Sequence, residues 1–302
     1  MDWITLAVIS ALFSAAAAIL QKKVLFDMDP LKFALINSLF ALVLSIPFFV
    51  MVSYATLRAD SLAVLFLKSM LNGLAFLYVM KSIKSMELSG ALPLLAITPG
   101  FVAIFAFLFL GEKLGGFEAG GLLCLLAGTY ILEMQVKEKK LLDPFKVFIR
   151  SERHHFILAA LALFSVSAIL DKYLLKQHKL PVNAFLAFQH LFFAVLFLAV
   201  YYVRELRVRR RGGSADFSLF NHGITKKLLL FCFVIAVITV GYRYTQIEAT
   251  RLAASVALVL AIKRLSVLFA TIIGGKIFHE SNLLKKALAT AIIVAGIFLL
   301  KG

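Results

Sequence analysis

Four long stretches of this sequence contain no Asp, Glu, Lys or Arg, and they constrain the fold more than any other feature. They run over residues 3–21, 33–57, 88–111 and 180–203. Each is long enough to cross a hydrocarbon core of about 30 Å as a helix. Because 62% of the 302 residues are hydrophobic, a water-soluble domain of this size could not bury them in one core. The sequence therefore predicts an integral membrane protein.

Six further apolar segments reach spanning length if the Lys and Arg residues near their ends extend to the lipid headgroups. They lie at residues 61–82, 117–136, 155–176, 227–246, 252–275 and 283–301. Backbone groups in lipid must be hydrogen-bonded within a helix or a closed barrel, and these segments lack the period-two alternation of barrel strands. We therefore predict an all-α integral membrane protein with ten transmembrane helices, the first of them retained rather than cleaved as a signal.

The net charge of +16 resides mostly in the loops between the predicted spans. Cytoplasmic loops of membrane proteins are enriched in Lys and Arg, so this charge does not indicate a nucleic-acid partner, and none is expected. Basic residues are most frequent after the odd-numbered spans, which predicts that both termini lie outside the cytoplasm. Cys124 and Cys232 lie within apolar segments without metal-ligand spacing, and we expect no metal and no cofactor.

An internal repeat divides the sequence into two halves. The matching positions are 11–14 with 162–165, 19–22 with 169–172, Tyr78 with Tyr242, and Ala127-Gly128 with Ala295-Gly296. Each half, 1–136 and 154–302, is predicted to hold five helices, with residues 137–153 as a basic linker. An odd number of helices per half makes the second half enter the membrane in the opposite sense. Such inverted repeats are typical of alternating-access transporters.

Two motifs of the first half resemble the EamA-like family of the drug/metabolite transporter superfamily. They are Gly111-Glu112-Lys113-Leu114 and the glycine-bearing segment that ends at 127–132. The resemblance covers nearly the whole chain and implies a ten-helix carrier with a central cavity, expected in a prokaryotic inner membrane, for substrates from amino acids to sugar phosphates. Family members usually keep their termini in the cytoplasm, against the charge distribution, so the orientation stays open.

The second half departs from this family pattern. The segment 274–277 has no glutamate at the place of Glu112, and Glu280 comes later in the chain. Glu112 is therefore interpreted as a structural loop residue and not as a functional one.

Lys263 and Arg264 lie at the midpoint of the ninth predicted span. Each would cost about 2.5–3.5 kcal/mol at the centre of a membrane helix, so both must face a polar cavity or a partner. The acidic residues lie near the ends of the spans, and no carboxylate is expected beside the pair. A guanidinium fork next to an ammonium group suits a phosphate or a carboxylate. The pair therefore predicts an anion site near the membrane midplane.

The segment 261–267 is also similar to the Lys-Arg segment of helix 9 in plastid sugar-phosphate translocators and nucleotide-sugar transporters. The similarity implies that the pair binds the phosphate of a substrate.

Further polar residues of the spans are candidates for the same site. Tyr242 and Gln246 are four residues apart and share a helix face, with Arg243 between them. Tyr78 is the repeat counterpart of Tyr242. The predicted substrate-binding residues are Lys263, Arg264, Tyr242, Gln246, Arg243, Tyr78, Asn72 and Thr98.

Other polar and small residues within the spans are interpreted as packing residues. Asn37, Gln189 and His190 are expected to form interhelical hydrogen bonds. Gly116 and Gly120 are expected to let the fifth helix approach a neighbour closely.

Together these features predict a secondary transporter that moves a small organic anion, preferably a phosphorylated one, by alternating access. The sequence has no glycine-rich phosphate loop and no spacing of nucleophile, base or metal ligands, so neither an ATP-driven pump nor an enzyme is expected. A proton-coupled exporter of cationic drugs would need a membrane-buried carboxylate, and none is expected. The expected partners are the anionic substrate and membrane lipids, with the chain a monomer or a homodimer.

Two alternatives stay open. One is an exporter of amino acids or other neutral metabolites in which Lys263 and Arg264 have a structural role. The other is a lipid-handling membrane protein.

Overall fold

The computed structural model describes residues 1–96, 98, 115–133, 152–212, 224–252 and 256–299. Over these residues the chain is helical and contains no strand, so the predicted all-α fold is confirmed. Residues 137–151 of the predicted linker and most of the fourth predicted span beyond residue 96 lie outside the described residues.

The main helices follow the apolar segments of the sequence. They are α1 (Trp3–Asp27), α2 (Pro30–Leu44), α3 (Ala59–Ser85), α4 (Leu88–Ala96), α5 (Gly116–Glu133), α6 (Glu152–Lys172), α7 (Val182–Arg210), α8 (Lys226–Leu252), α9 (Val256–Phe269) and α10 (Leu283–Leu299). Short helical segments follow α2 at Ile46–Val50, α6 at Tyr173–Gln177 and α9 at Ala270–Gly274 and Gly275–Ile277.

Side chains at the first two helix starts explain where these helices begin. Asp2 accepts a hydrogen bond from the backbone N–H of Thr5 at 3.2 Å. Asp29 accepts from the N–H groups of Leu31 and Lys32, and Pro30 supplies the preset backbone angle of a first helical residue. The chain therefore turns sharply between the end of α1 and the start of α2.

Among the described residues, five helical segments are long and apolar enough to cross a membrane. They are Trp3–Asp27, Ala59–Ser85, His155–Leu175, Val182–Arg210 and Lys226–Leu252. Many of their large apolar side chains are exposed on the outside of the bundle, as expected for helices that face lipid. The protein is therefore a multi-pass membrane protein.

Helices of the first half pack chiefly against helices of the second half. The most extensive contacts join α5 with α10, α1 with α8, and α3 with α6. Helix α1 also packs against α9, and α2 packs against both α7 and α8. The core is thus shared between the halves, and neither half has a separate core of its own.

Glycines of the repeated Ala-Gly pairs allow the close contact between α5 and α10. A Cβ atom added to Gly296 would lie 2.8 Å from both the Cβ of Cys124 and the carbonyl oxygen of Gly121. One added to Gly128 would lie 2.7 Å from a side-chain carbon of Ile293. Gly120, by contrast, has no described atom within 4 Å of such a position, and the same holds for Gly116. The close approach of a neighbouring helix at Gly116 and Gly120 is not found in the described part of the chain, and it stays a prediction.

We expect Gly296→Ala to destabilise the protein, because a methyl group would push α10 away from α5. Overpacking of this kind costs about 1–3 kcal/mol. The matched control is Gly120→Ala, which adds the same methyl group in open space and should leave stability unchanged or raised. Thermal unfolding of the detergent-solubilised variants measures the difference, and equal unfolding temperatures would contradict the packing role of Gly296.

Candidate functional site

A cavity of about 160 Å³ lies between the two halves of the bundle. Its walls come from α1, α3, α4, α6, α8 and α9, and most of them are apolar. The polar side chains that line it are those of Ser14, Gln21, Tyr242, Arg264 and Ser266. Two of the predicted site residues, Tyr242 and Arg264, are therefore brought together at one cavity.

Arg264 lines this cavity and has no partner in the described part of the protein. Within the described residues it forms no hydrogen bond and no ion pair, although its charge lies deep in the bundle. A guanidinium group has five N–H donors, and a buried charge without a partner is costly. The geometry therefore leaves Arg264 available to bind an anion in the cavity.

Lys263 points to a different place from its neighbour Arg264. Successive residues of a helix are about 100° apart around the axis, so adjacent side chains diverge. The Lys263 ammonium donates a hydrogen bond to Oε1 of Gln246 and lies 5.0 Å from the centroid of the Tyr242 ring. The sequence-predicted pair is thus divided, with Arg264 at the cavity and Lys263 held against α8.

A third cation, Arg243, donates hydrogen bonds to two glutamine side chains, one of which also accepts from Lys263. Its guanidinium donates to Oε1 of Gln189 at 2.9 Å and to Oε1 of Gln246 at 3.3 Å. The Gln246 oxygen therefore accepts hydrogen bonds from both Arg243 and Lys263. These amide oxygens satisfy donors but carry no net charge, so the positive charge of Arg243 and Lys263 is not neutralised by them.

A buried ion pair between Lys68 and Asp171 lies close to Arg243 and Lys263. The two charged atoms are 2.8 Å apart, the Lys68 side chain is fully buried, and the ring of Phe185 lies 4.6 Å from its ammonium. No carboxylate is predicted beside the basic residues of the spans, and Asp171, near the end of α6, corrects that prediction. The helical path continues past α6 through Tyr173–Gln177, and Asp171 lies within the apolar helical segment His155–Leu175.

The charges of the cluster do not balance over the described residues. Four cations, Lys68, Arg243, Lys263 and Arg264, lie close enough to interact electrostatically, and Asp171 is the carboxylate that faces them. Because Asp171 is paired with Lys68, a surplus of positive charge is left around Gln246 and the cavity.

Three predicted site residues make contacts within the protein. Tyr78 stacks on Phe156 with ring centroids 5.7 Å apart, and Asn72 donates to the hydroxyl of Ser167 at 3.1 Å. Thr98 donates to the carbonyl of Leu95 at 2.6 Å. None of the three is among the described residues that line the cavity, so their role in substrate binding stays a prediction.

Interhelical hydrogen bonding is confirmed for two of the three residues to which it was assigned. Gln189 accepts from Arg243 of α8, and the Nδ1 atom of His190 lies 2.6 Å from the hydroxyl of Ser45. The side-chain oxygen of Asn37 is buried and has no hydrogen-bond partner in the described part of the chain.

Sequence reasoning missed several cavity residues, of which Gln21 is the most informative. Gln21 lines the cavity and matches Asp171 in the internal repeat. A comparison of polar residues at repeat-matched positions could have found both of them. Ser14 and Ser266 carry no such signal, because small hydroxyl residues are common in packed membrane helices.

We expect single substitutions in the Lys68–Asp171 pair to destabilise the fold strongly. Asp171→Asn leaves an uncompensated buried ammonium, and loss of one partner of a buried pair costs about 3–5 kcal/mol. The double variant Lys68→Met/Asp171→Asn removes both charges and should recover most of that loss. The control Asp60→Asn breaks the exposed Arg58–Asp60 pair and should have little effect. Thermal unfolding compares the wild type with Asp171→Asn, Lys68→Met, the double variant and the control, and additive effects of the two single substitutions would contradict the pairing.

Comparisons with known proteins agree with the helical architecture. Residues 1–134 match the model of the EamA-like transporter family. A solved structure described as "Crystal structure of protein" aligns with a TM-score of 0.66 and 14% sequence identity, over 98% of this chain and 95% of that chain. At this identity the alignment shows a common fold alone. No curated protein matches the chain.

Proposed function

We propose that the protein is a secondary transporter for a small organic anion, because residues 1–134 match the model of the EamA-like transporter family. The preferred substrate is a phosphorylated metabolite, and the proposed location is a prokaryotic inner membrane. No catalytic role is proposed, since family members are transporters and not enzymes.

The observation that carries this proposal is the guanidinium of Arg264 at the central cavity, which has no partner among the residues that the structure describes. The surplus of positive charge behind it favours an anionic substrate over a neutral or cationic one. A phosphate offers several oxygens to a guanidinium fork, which binds such groups with paired, charge-assisted hydrogen bonds. Arg264 is therefore the proposed anchor of the anionic group.

The size and lining of the cavity support a small substrate. Sites for drug-sized ligands have volumes of about 300–1,000 Å³, which is well above the roughly 160 Å³ of this cavity. Phe76, Leu92 and Val267 supply apolar wall opposite the polar groups. Such a site fits one anionic group attached to a short carbon skeleton.

The pattern of helix contacts supports transport by two inverted five-helix repeats, ten helices in all. If the first five helices are exchanged with the last five, the α1–α8 contact becomes the α6–α3 contact, and both are extensive. The α2–α7 and α5–α10 contacts each map onto themselves. This is the pattern expected for halves related by a pseudo-two-fold axis. Rocking of one half against the other around a fixed central site is the proposed alternating-access movement.

One observation favours a different substrate class. The ammonium of Lys263 already has Gln246 and the Tyr242 ring as partners, so Lys263 is structurally satisfied without a ligand. In an exporter of amino acids or other neutral metabolites, Lys263 and Arg264 would serve only the packing of α9.

Substitution of Arg264 tests the anion site. We expect Arg264→Gln to reduce counter-exchange of the transported anion by about 10–100-fold, because hydrogen bonds to charged groups contribute about 1.5–3 kcal/mol. Lys263→Gln should have a smaller effect, since its ammonium is directed to α8. Uptake of labelled inorganic phosphate and a panel of organophosphates into preloaded liposomes provides the measurement.

The matched control is Arg251→Gln, which removes an exposed arginine that pairs with Glu248 near the end of α8. This variant should transport like the wild type. Normal phosphate exchange by a folded Arg264→Gln variant would contradict the proposed anion site. If the wild type moves no phosphorylated compound, amino acids become the substrates to screen.

A further inference from the structure

Glu280 joins the turn between α9 and α10 to the start of α4. Its carboxylate accepts hydrogen bonds from the backbone N–H groups of Leu88 at 2.6 Å and Ser89 at 2.8 Å, and also from the Ser89 hydroxyl. The first N–H groups of a helix lack partners within the helix and favour negative charge. Glu280 therefore caps α4 from a distant part of the chain.

Glu87 makes the reciprocal connection. Its carboxylate accepts from the backbone N–H of Ser281 at 3.3 Å, from the Ser281 hydroxyl at 3.2 Å, and from the ammonium of Lys286. Partial burial raises the pKa of Glu87, but the hydrogen bonds from Lys286 and Ser281 outweigh it and hold the pKa below its ordinary value. The carboxylate is thus ionised at neutral pH. We call the group formed by Glu87, Leu88, Ser89, Glu280, Ser281 and Lys286 the latch.

The backbone of the α9–α10 turn is shaped to present Glu280. His279 and Asn282, on either side of Glu280 and Ser281, have φ angles of 52° and 51°. This left-handed conformation is uncommon for residues other than glycine and is kept only where surrounding contacts hold it. The hydrogen bonds of the latch are contacts of that kind.

The latch lies directly beyond one end of the cavity. The ammonium of Lys22, near the end of α1, donates to the carbonyl oxygens of Ile83 and Met86, each at 2.6 Å. Ile83 and Gln21, the neighbour of Lys22, line the cavity. The ends of α1, α3 and α9 and the start of α4 are therefore tied together at this end.

The internal repeat gives the latch a second line of support. Glu280 stands at the same distance before Ala295-Gly296 as Glu112 stands before Ala127-Gly128. The interpretation that the second half lacks a counterpart of Glu112 is thereby corrected. Glu112 itself lies outside the described residues.

We propose that the latch is the gate at this end of the cavity, with Glu280 and Glu87 as the residues that hold it closed. For the cavity to open here, α4 must separate from the α9–α10 turn, and both carboxylates must release their donors. The inference rests on the assignment of the chain as a transporter, and not on the anionic nature of its substrate.

A cysteine in the cavity reports on the state of the gate. In a background of Cys124→Ala and Cys232→Ala, the variant Ala18→Cys places one thiol on the cavity wall. A membrane-impermeant maleimide is added to the latch side of oriented vesicles. We expect Glu280→Gln to increase the labelling rate about tenfold, because the amide cannot replace the charge-assisted bonds to Leu88 and Ser89.

The matched control is Glu248→Gln, also a carboxylate-to-amide change, near the opposite end of the bundle, where the adjacent Ala249 packs against Leu6 and Ala7 of α1. Its labelling rate should equal that of the parent. Glu87→Gln weakens the second carboxylate of the latch. If Glu280→Gln does not fold, the labelling rate of Glu87→Gln tests the gate. Parental labelling rates in the folded latch variants would overturn the proposal. Since labelling requires no substrate, failure of phosphate exchange would affect only the anion assignment.

Discussion

The positive charge of Lys68, Arg243, Lys263 and Arg264, fully buried at Lys68 and partly buried at the other three, is the constraint on which the centre of the structure depends. At about 2.5–3.5 kcal/mol each on insertion scales, four such groups would cost on the order of 10 kcal/mol if they faced lipid. The bundle lowers this cost by surrounding three of them with a carboxylate, amide oxygens and aromatic faces. These partners come from α6, α7 and α8, so the charges determine which helices must meet.

The four positive charges are compensated to different degrees by their partners. This difference determines which of them can bind an anion. Lys68 has a carboxylate partner, while Arg243 and Lys263 have only the neutral oxygens of Gln189 and Gln246. Arg264 has no partner among the described residues and faces the cavity. A group that is already desolvated and held in place needs little further ordering when an anion arrives, which favours binding. The same charges thus hold the helices together and leave one donor group for a ligand.

The sequence was sufficient for the all-α fold, but not for the direction of the charged side chains. Charge-free length predicts a span, and the insertion cost places Lys263 and Arg264 away from lipid. Which of the two faces the cavity depends on the rotation of α9, which only its packing neighbours determine. Asp171 was missed because a residue near a helix end normally reaches the headgroups, whereas here the helical path continues. The latch was missed because its carboxylates join turns that are far apart in the chain.

The two groups of charged contacts differ in how readily they can break. The Glu87 carboxylate in the latch is about half exposed, with a relative exposure of 45%, so water can replace its donors when they separate. Lys68 is fully buried, and separation from Asp171 would leave an uncompensated charge in the bundle. A movement that opens the cavity therefore meets the lower barrier at the turns. The cation cluster can stay intact as a rigid centre while α4 and the α9–α10 turn part at the end of the cavity.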